Sequence, residues 1–393
     1  LVLHNYMDFD DLKDYVKISY ELTQDGLVIS KGKLPEVSAA PHSEGKINLK
    51  INVPESGKCY LKFIYHLKKE LPLLDEDHIL GFDEIEVSQK DAKCQLAEKW
   101  FEKTVTDSEL QVSEDDTQIH IKGREFAYTI DRRTALFTEM KFAGREYLNH
   151  PMELNIWRAP TDNDMYIKSE WKKAHYDKAY TRAYTTEVVQ GKHGVKITSH
   201  ASVVAETVQK ILDVTITWKI EAAGKIDADI AVTKDDEFPD LPRFGVRMFL
   251  DKKLSAARYF GMGPQESYCD KHQAASHGLY HANVDDLHED YIRPQENGSH
   301  YDCEYVELNN SRYGIVVSAE NAFSFNASYY TQEELEKKTH NYELTESDSV
   351  VFCVDYALNG IGSNSCGPVV LDQYRFDDVL FRFQFTLIPY VKG

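Results

Sequence analysis

Apolar residues in this chain recur at every second position, and that period limits what it can fold into. Val16, Ile18, Tyr20 and Leu22 alternate with polar neighbours, as do Ile47, Leu49, Ile51 and Val53, and then Leu61, Phe63, Tyr65 and Leu67. A strand projects successive side chains to opposite faces, so this pattern places one face in a core and the other in water, the mark of antiparallel sheet. Asp25-Gly26 between two apolar runs predicts a tight hairpin turn. The spacing of strands and turns over residues 1–90 fits a small β-sandwich.

A polar stretch follows, with Asp107-Ser108-Glu109 and then Ser113-Glu114-Asp115-Asp116. It lacks apolar periodicity and reads as a connection, which divides the chain into a first domain over residues 1–104 and a second over 105–393. From residue 117 the alternation resumes. Val214, Ile216, Trp218 and Ile220, then Gly224, then Ile226, Ala228, Ile230 and Val232 predict a hairpin, and Phe381, Phe383, Phe385 and Leu387 predict a final strand. So many short strands imply one large sandwich, and the fold class is all-β. Helical signals are few. Thr331 and Glu334 form a capping box, followed by the i,i+4 pairs Glu333/Lys337 and Glu334/Lys338, and Ser169–Lys178 predicts a second short helix. Nothing matches the alternating strand–helix units of a (β/α)8 barrel.

Composition excludes some partners. The 393 residues carry 65 acidic against 45 basic side chains, a net charge of −20. No basic stripe interrupts this background, which argues against a phosphate backbone or an anionic membrane as partner. No apolar run approaches the roughly 20 residues needed to span a bilayer. Six scattered cysteines without a C-x-x-C pair point to free thiols, so the expected compartment is the cytoplasm.

Short motifs are weaker. Gly261-Met262-Gly263-Pro264 resembles a phosphate loop but lacks the third glycine, and Pro264 offers an anion no N–H, so it reads as a tight turn. Histidines between His272 and His300 lack a helical H-x-x-x-H pattern, so no metal is expected in this chain. Asn297-Gly298-Ser299 and Asn326-Ala327-Ser328 match a glycosylation pattern that needs a secretory context. Three segments are dense in Asn, Asp, Arg and Pro: Trp157–Asp164, Tyr291–Gly298 and Asn359–Pro368. Such residues form turns, and their amides, carboxylates and guanidinium groups also pair with the hydroxyls of a polyhydroxylated ligand.

Four ordered motifs carry a resemblance: Trp-Arg-Ala-Pro-Thr-Asp-Asn-Asp at 157–164, Gly-Met-Gly-Pro-Gln-Glu-Ser-Tyr at 261–268, Arg-Pro-Gln-Glu-Asn-Gly at 293–298 and Gly-Ile-Gly-Ser-Asn-Ser-Cys-Gly-Pro at 360–368. Together they resemble the C-terminal part of a family 2 glycoside hydrolase, a β-galactosidase of the large bacterial type. The resemblance covers residues from about 117 to the end. Residues 1–100 are similar to the immunoglobulin-like domain that precedes this part, with Asn5-Tyr6, Phe9 and the Asp25-Gly26 turn as markers.

The resemblance implies a fourth, immunoglobulin-like domain followed by a fifth, large sandwich of the galactose-mutarotase type. It implies that the catalytic glutamates, and Mg and Na sites, belong to a barrel upstream of Leu1, so that no catalytic residue and no cofactor is expected in this chain. It further implies that the last domain lends loops to the rim of a galactoside pocket. Carried over position by position, the rim comprises Asp164, Met165 and Tyr166, and then Asn364, Ser365 and Cys366. Cys366 stands where the best-known members have a tryptophan that stacks on the sugar, and cysteine has no π-face. Arg158, Asp162, Asn163, Arg293, Gln295, Glu296 and Asn297 are further residues for a carbohydrate face or for holding the loops.

The expected function is the non-catalytic part of an enzyme hydrolysing terminal β-D-galactosides with retention. Its expected partners are the rest of that enzyme, its other subunits and the galactoside. Two alternatives stand beside it. One is a stand-alone carbohydrate-binding or mutarotase-like epimerase module, which would use residues such as His300 and Glu296 as acid and base. The other is a purely structural assembly domain.

Overall fold

The computed structural model describes residues 1–96, 110–362, 364 and 367–392. They form two compact units, Leu1–Glu98 with His277–Leu279, and Lys99–Ser276 with Tyr280–Gly393. The boundary expected between residues 104 and 105, and the polar stretch Asp107-Ser108-Glu109, lie outside the described residues.

The first unit is a small β-sandwich. One antiparallel sheet has the order Leu27–Lys33, Val16–Gln24, Cys59–Leu67, Ile79–Glu86, and Val2–His4 pairs with Glu44–Lys46 in the other. Leu3, Ile18, Leu22, Val37, Ile47, Leu61 and Phe63 fill the space between them. Asp25 and Gly26 take φ 47° and 79°, the doubly left-handed turn whose twist matches paired strands. The Asp25 carboxylate is buried and accepts the Lys58 N–H at 2.9 Å, which fixes the turn against the neighbouring strand. Asn5 is a second pin. Its amide donates to the carbonyls of Asp10 and Ala39 and accepts from the Met7 N–H, whereas Tyr6 and Phe9 are exposed. The expected strand through Ile47 to Val53 differs in one respect. The inward–outward alternation is kept, but no ladder forms beyond Lys46 among the described residues.

The second unit is the large sandwich. Its principal sheet follows the order Leu148–Asn155, Arg243–Asp251, Ser349–Leu358, Tyr313–Ser328, Leu380–Val391, Ile226–Lys234, Leu212–Glu221, Gly194–Val204, Tyr180–Gln190. Ser299–Asn309 pairs with Tyr313–Ser328 and with Ala256–Gly263, which in turn pairs with Ser276–Asn283. A five-stranded meander, from Gln111–Glu114 to Arg145–Glu146, covers part of this sheet. The expected hairpin forms with Ile220 opposite Ile226 and Gly224 at φ 91°. Between the layers Trp218 is fully buried. Its ring meets Phe137 edge-on at 4.9 Å, and its indole N–H donates to the Ala135 carbonyl at 2.8 Å.

Tyr313–Ser328, a 16-residue strand, changes partners along one edge. Tyr313–Ser318 pairs with the final strand and Ser324–Ser328 with Ser349–Leu358, while the residues between lie outside both ladders. The capped helix is Gln332–Lys337, with the Thr331 hydroxyl accepting from the Glu334 N–H. Glu334 pairs with Lys338 as expected, but Glu333 turns to Arg247 instead of Lys337, because the guanidinium is already held beside the helix by Gln332. The second helix spans Ile167–Lys173, followed by a 3-10 turn at Tyr176–Lys178.

His300 opens the strand Ser299–Asn309 and lies wholly inside, with Tyr259 at 4.5 Å and Phe325 at 5.1 Å. Nδ1 faces the Met262 carbonyl at 3.3 Å and Nε2 has no partner. A bare lone pair among aromatic rings suits a neutral imidazole, and burial pushes its pKa down to about 4 from 6.5.

Two outcomes are expected. Trp218→Ala should lower the unfolding free energy of the large sandwich by about 3–5 kcal/mol in urea titrations, through the lost ring and the cavity left behind. The unfolded chain protonates His300 below 6.5 and the folded chain only near 4, so its contribution is complete above pH 6.5 and falls away as pH drops between these values. His300→Phe should flatten the melting-temperature profile in that window, by on the order of 3 kcal/mol at its acid end.

Candidate functional site

The three polar segments converge at one end of the large sandwich, and buried charge holds them there. Arg158 is fully buried, with Nε and Nη2 on the two carboxylate oxygens of Asp164 at 3.1 and 2.7 Å. The same guanidinium donates to the carbonyls of Asn359 and Gly360, so the first segment grips the third. Glu296 links the second segment to the first and to the sheet. One of its oxygens accepts the Ala159 N–H at 3.0 Å, and the other accepts Arg243 Nη1 at 2.6 Å. Arg243 also forks onto Asp355 in the sheet beneath. Three carboxylates thus share two guanidinium groups. Burial raises Asp355 to about 6, with Arg243 opposing and Glu296 adding to the rise.

Backbone contacts complete the frame. Gln295 accepts the Asp162 N–H at 2.9 Å, and the Asn163 amide donates to the Gly362 carbonyl. Asp270 accepts the N–H groups of Ile361 and Gly362 at 3.0 and 2.6 Å. Asn359 accepts the Phe376 N–H at 2.9 Å.

Above this frame opens a cavity of about 750 Å³. Asp162, Asn163 and Gln295 supply polar edges, and Ile361, Pro368, Val369 and Leu371 supply an apolar wall. Glu266, Lys271, Tyr268 and Tyr291 form a hydrogen-bonded patch within it. Glu266 accepts from Lys271 and Tyr291 on one oxygen, and from the Gly298 N–H at 2.9 Å and Tyr268 at 3.3 Å on the other. Burial pushes this carboxyl up, but Lys271, Tyr291 and the Gly298 N–H outweigh it, so it stays below the ordinary range. The Tyr291 hydroxyl is pushed up to about 12, by burial and then by Glu266. Each carboxylate oxygen of Glu266, Asp270 and Glu296 has at least one donor. These carboxylates fix backbone and side chains, whereas a proton acceptor needs a lone pair within reach of its substrate. Asp162 is the exposed carboxylate of the lining.

Of the residues singled out from sequence, Asp162, Asn163, Gln295 and Glu296 line this cavity. Arg158 and Asp164 are a buried pair behind it. Asn297 is buried and braces its own segment, accepting the Glu289 N–H and donating to the Gln295 carbonyl. Met165, Tyr166 and Arg293 are exposed, Asn364 is half-buried, and none of the four lines the cavity. Ser365 and Cys366 lie outside the described residues. His300 lines no part of it. Sequence reasoning missed Asp270, Lys271 and Tyr374, which lie in no dense polar segment. Glu266 stood within a quoted motif without a role.

Among the described residues no group of three or more His, Cys, Asp or Glu could hold a metal ion. Cys59, Cys269, Cys303 and Cys353 are free thiols. No helix among the described residues is long and apolar enough to cross a membrane.

Comparison with known proteins gives these features a family. A model described as β-galactosidase small chain matches residues 122–387, and one described as β-galactosidase, domain 4, matches residues 1–88. A β-galactosidase of Actinobacillus pleuropneumoniae is 43% identical over 99% of this chain and 38% of its own length. A β-galactosidase of Staphylococcus xylosus is 31% identical over 98% of this chain and 38% of its own. The chain therefore spans well under half the length of these relatives. Among solved structures, a galactose 1-epimerase from Lactobacillus acidophilus NCFM aligns with 73% of this chain and 99% of its own at 8% identity, with a TM-score of 0.39. With the small-chain model matching most of the large sandwich and the domain 4 model most of the small one, the chain belongs to the β-galactosidase small-chain family, preceded here by a β-galactosidase domain 4.

Proposed function

We propose that this chain is the C-terminal part of an enzyme that hydrolyses terminal β-D-galactosides such as lactose with retention, and that its large sandwich forms one wall of the sugar pocket. The reading is carried by one observation: separated polar motifs meet at a single cavity whose inner carboxylates are already hydrogen-bonded. Such a surface is suited to holding a polyhydroxylated ring. Asp162, Asn163 and Gln295 offer donors and acceptors to hydroxyl groups, and Val369 and Leu371 offer an apolar face to ring C–H groups. Retaining hydrolysis needs two carboxyl groups about 5 Å apart, one nucleophilic and one proton-donating. In this reading both, together with the Mg and Na sites, come from polypeptide outside these 393 residues, with which the chain assembles.

The alternative of a self-sufficient epimerase is less well supported. It would draw on Glu296 and His300. Glu296 is engaged by Arg243 and the Ala159 N–H, and His300 is enclosed by aromatic rings away from the cavity.

The chain by itself should release no nitrophenol from o-nitrophenyl β-galactoside; steady turnover by a clean preparation refutes the division of labour. In the longer enzyme, Gln295→Ala and Asp162→Asn should each lower kcat/KM by roughly tenfold, about 1.4 kcal/mol for one lost polar contact. Wild-type kinetics in both variants would place this cavity away from the substrate. Cys366→Trp should lower KM by supplying a π-face, and an unchanged KM would remove the third segment from the pocket rim.

A further inference from the structure

The floor beneath the cavity holds more negative than positive charge, and almost none of it meets water. Arg158, Arg243 and Asp355 are fully buried, and Asp164 and Glu296 are 3% exposed. Among the carboxylates, Arg158 donates to Asp164 alone, and the Thr161 N–H gives Asp164 a further donor at 2.9 Å. Glu296 and Asp355 divide Arg243 between them. They divide it unequally. Glu296 has the Ala159 N–H on its second oxygen, whereas every donor to Asp355 among the described residues belongs to Arg243.

The sheet is built to put Asp355 there. Its strand, Ser349–Leu358, lies between Arg243–Asp251 and Tyr313–Ser328, with Gly245 and Ser324 as the facing residues. The register shifts between Phe244 and Gly245, opposite Ala357 and Asp355, and the extra residue re-aims the side chains beside it. A Cβ at Gly245 would collide with the Asp355 carboxylate and the Val354 carbonyl, so glycine makes the room that this carboxylate occupies.

Two carboxylates that share one cation away from water cannot both stay ionised without cost. With Asp355 neutral, two carboxylates face two guanidinium groups and the imbalance is gone. Burial is the largest influence on Asp355 and favours the neutral carboxyl. Arg243, from the neighbouring strand, opposes it, and Glu296, from the second polar segment, adds to it, which leaves Asp355 at about 6. Cys353, on the same strand, is a neutral thiol that burial pushes up to about 12. Arg247 is turned away to Glu153 and Glu333, and Arg158 and Tyr268 act on Glu296.

We propose that this cluster is a proton-operated clamp on the second polar segment. When Asp355 takes a proton from solvent, its charge is gone and Arg243 pairs with Glu296 alone, which holds the segment hard against the sheet. When the proton leaves, Arg243 is divided again and its hold on Glu296 slackens. Gln295, the neighbour of Glu296, accepts the Asp162 N–H and edges the cavity. The Glu296 N–H donates to the Ala159 carbonyl at 3.0 Å, so a shift of the second segment is passed to the first. The rim is therefore tighter on the acid side of the midpoint and looser on the alkaline side. An unfolded aspartate titrates near 3.8, so the stability gained is complete below that value and is lost as pH rises through about 6. What the rim does to a substrate rests on the reading of that cavity as a sugar wall; the clamp itself does not.

Other buried groups titrate in the same interval, so the test reads this carboxyl itself. It is carbon NMR of the 393-residue chain labelled at the aspartate side-chain carboxyls, titrated from about pH 4 to about pH 8. A carboxyl should titrate near 6 and be missing from Asp355→Asn. In Glu296→Gln, where the rival charge on Arg243 is removed, its midpoint should fall by about one unit or more. Hydrogen exchange in residues 293–298, corrected for the intrinsic effect of pH, should quicken severalfold through the same midpoint in the wild type and stay level in Glu296→Gln. Should Asp355→Asn not fold, the shift in Glu296→Gln assigns the resonance, and the wild-type titration and exchange decide without any variant. The proposal is overturned by the absence of an aspartate carboxyl titrating near 6, by a midpoint unmoved in Glu296→Gln, or by exchange that ignores the midpoint. No galactoside enters these measurements, so their failure leaves the sugar-wall reading standing, and wild-type turnover in the rim variants leaves the clamp standing.

Discussion

The arrangement at the end of the large sandwich depends on two buried guanidinium groups. Arg158 and Arg243 are fully enclosed and share Asp164, Glu296 and Asp355 between them, and three loops far apart in sequence are tied by that sharing. A buried ion pair is a poor source of net stability, because desolvation cancels most of the attraction. Its effect is on uniqueness. Leaving a carboxylate behind without its arginine would cost several kcal/mol, so alternative loop arrangements that separate the partners are strongly disfavoured. The cavity has its shape because its floor has few other ways to be satisfied.

That dependence also explains which parts of the molecule could be read in advance. Period-two alternation is a local property, and it located the strands around Ile18, Leu61, Ile216 and Phe383 because each buries its apolar face where it stands. The Asp25-Gly26 turn was legible for the same reason, since both residue types tolerate positive φ. Ile47 to Val53 shows the limit. Burial alternation is written in the side chains, but a ladder needs a partner strand, and pairing is a tertiary fact.

The site was legible in outline only. The dense polar segments marked the loops that meet, but not the division of work among them. Arg158 reads in sequence as a residue for a carbohydrate face or for holding the loops, and Asp164 as a rim residue; the structure buries the two as a pair, and nothing local distinguishes a guanidinium that will be buried from one that will face solvent. Asp270 and Lys271 carry no motif, and they matter because the fold brings them to Gly362 and Glu266. The positions carried over from the family resemblance divided similarly. Asp164 sits at the frame, while Met165 and Tyr166 point into solvent.

The partner change along Tyr313–Ser328 bears on the order in which the large sandwich is assembled. Half of that strand's free edge is covered by Ser349–Leu358 and half by Leu380–Val391, and the latter also seals the edge of Ile226–Lys234. Until the last of these segments leaves the ribosome, two long hydrogen-bonding edges stay open, and open edges invite pairing with other chains. The strands of the small sandwich all end by Glu86, so its two sheets can pair much earlier in synthesis. Newly made chains are thus most exposed to aggregation in the interval between translation of Ile226–Lys234 and translation of the C-terminal strand.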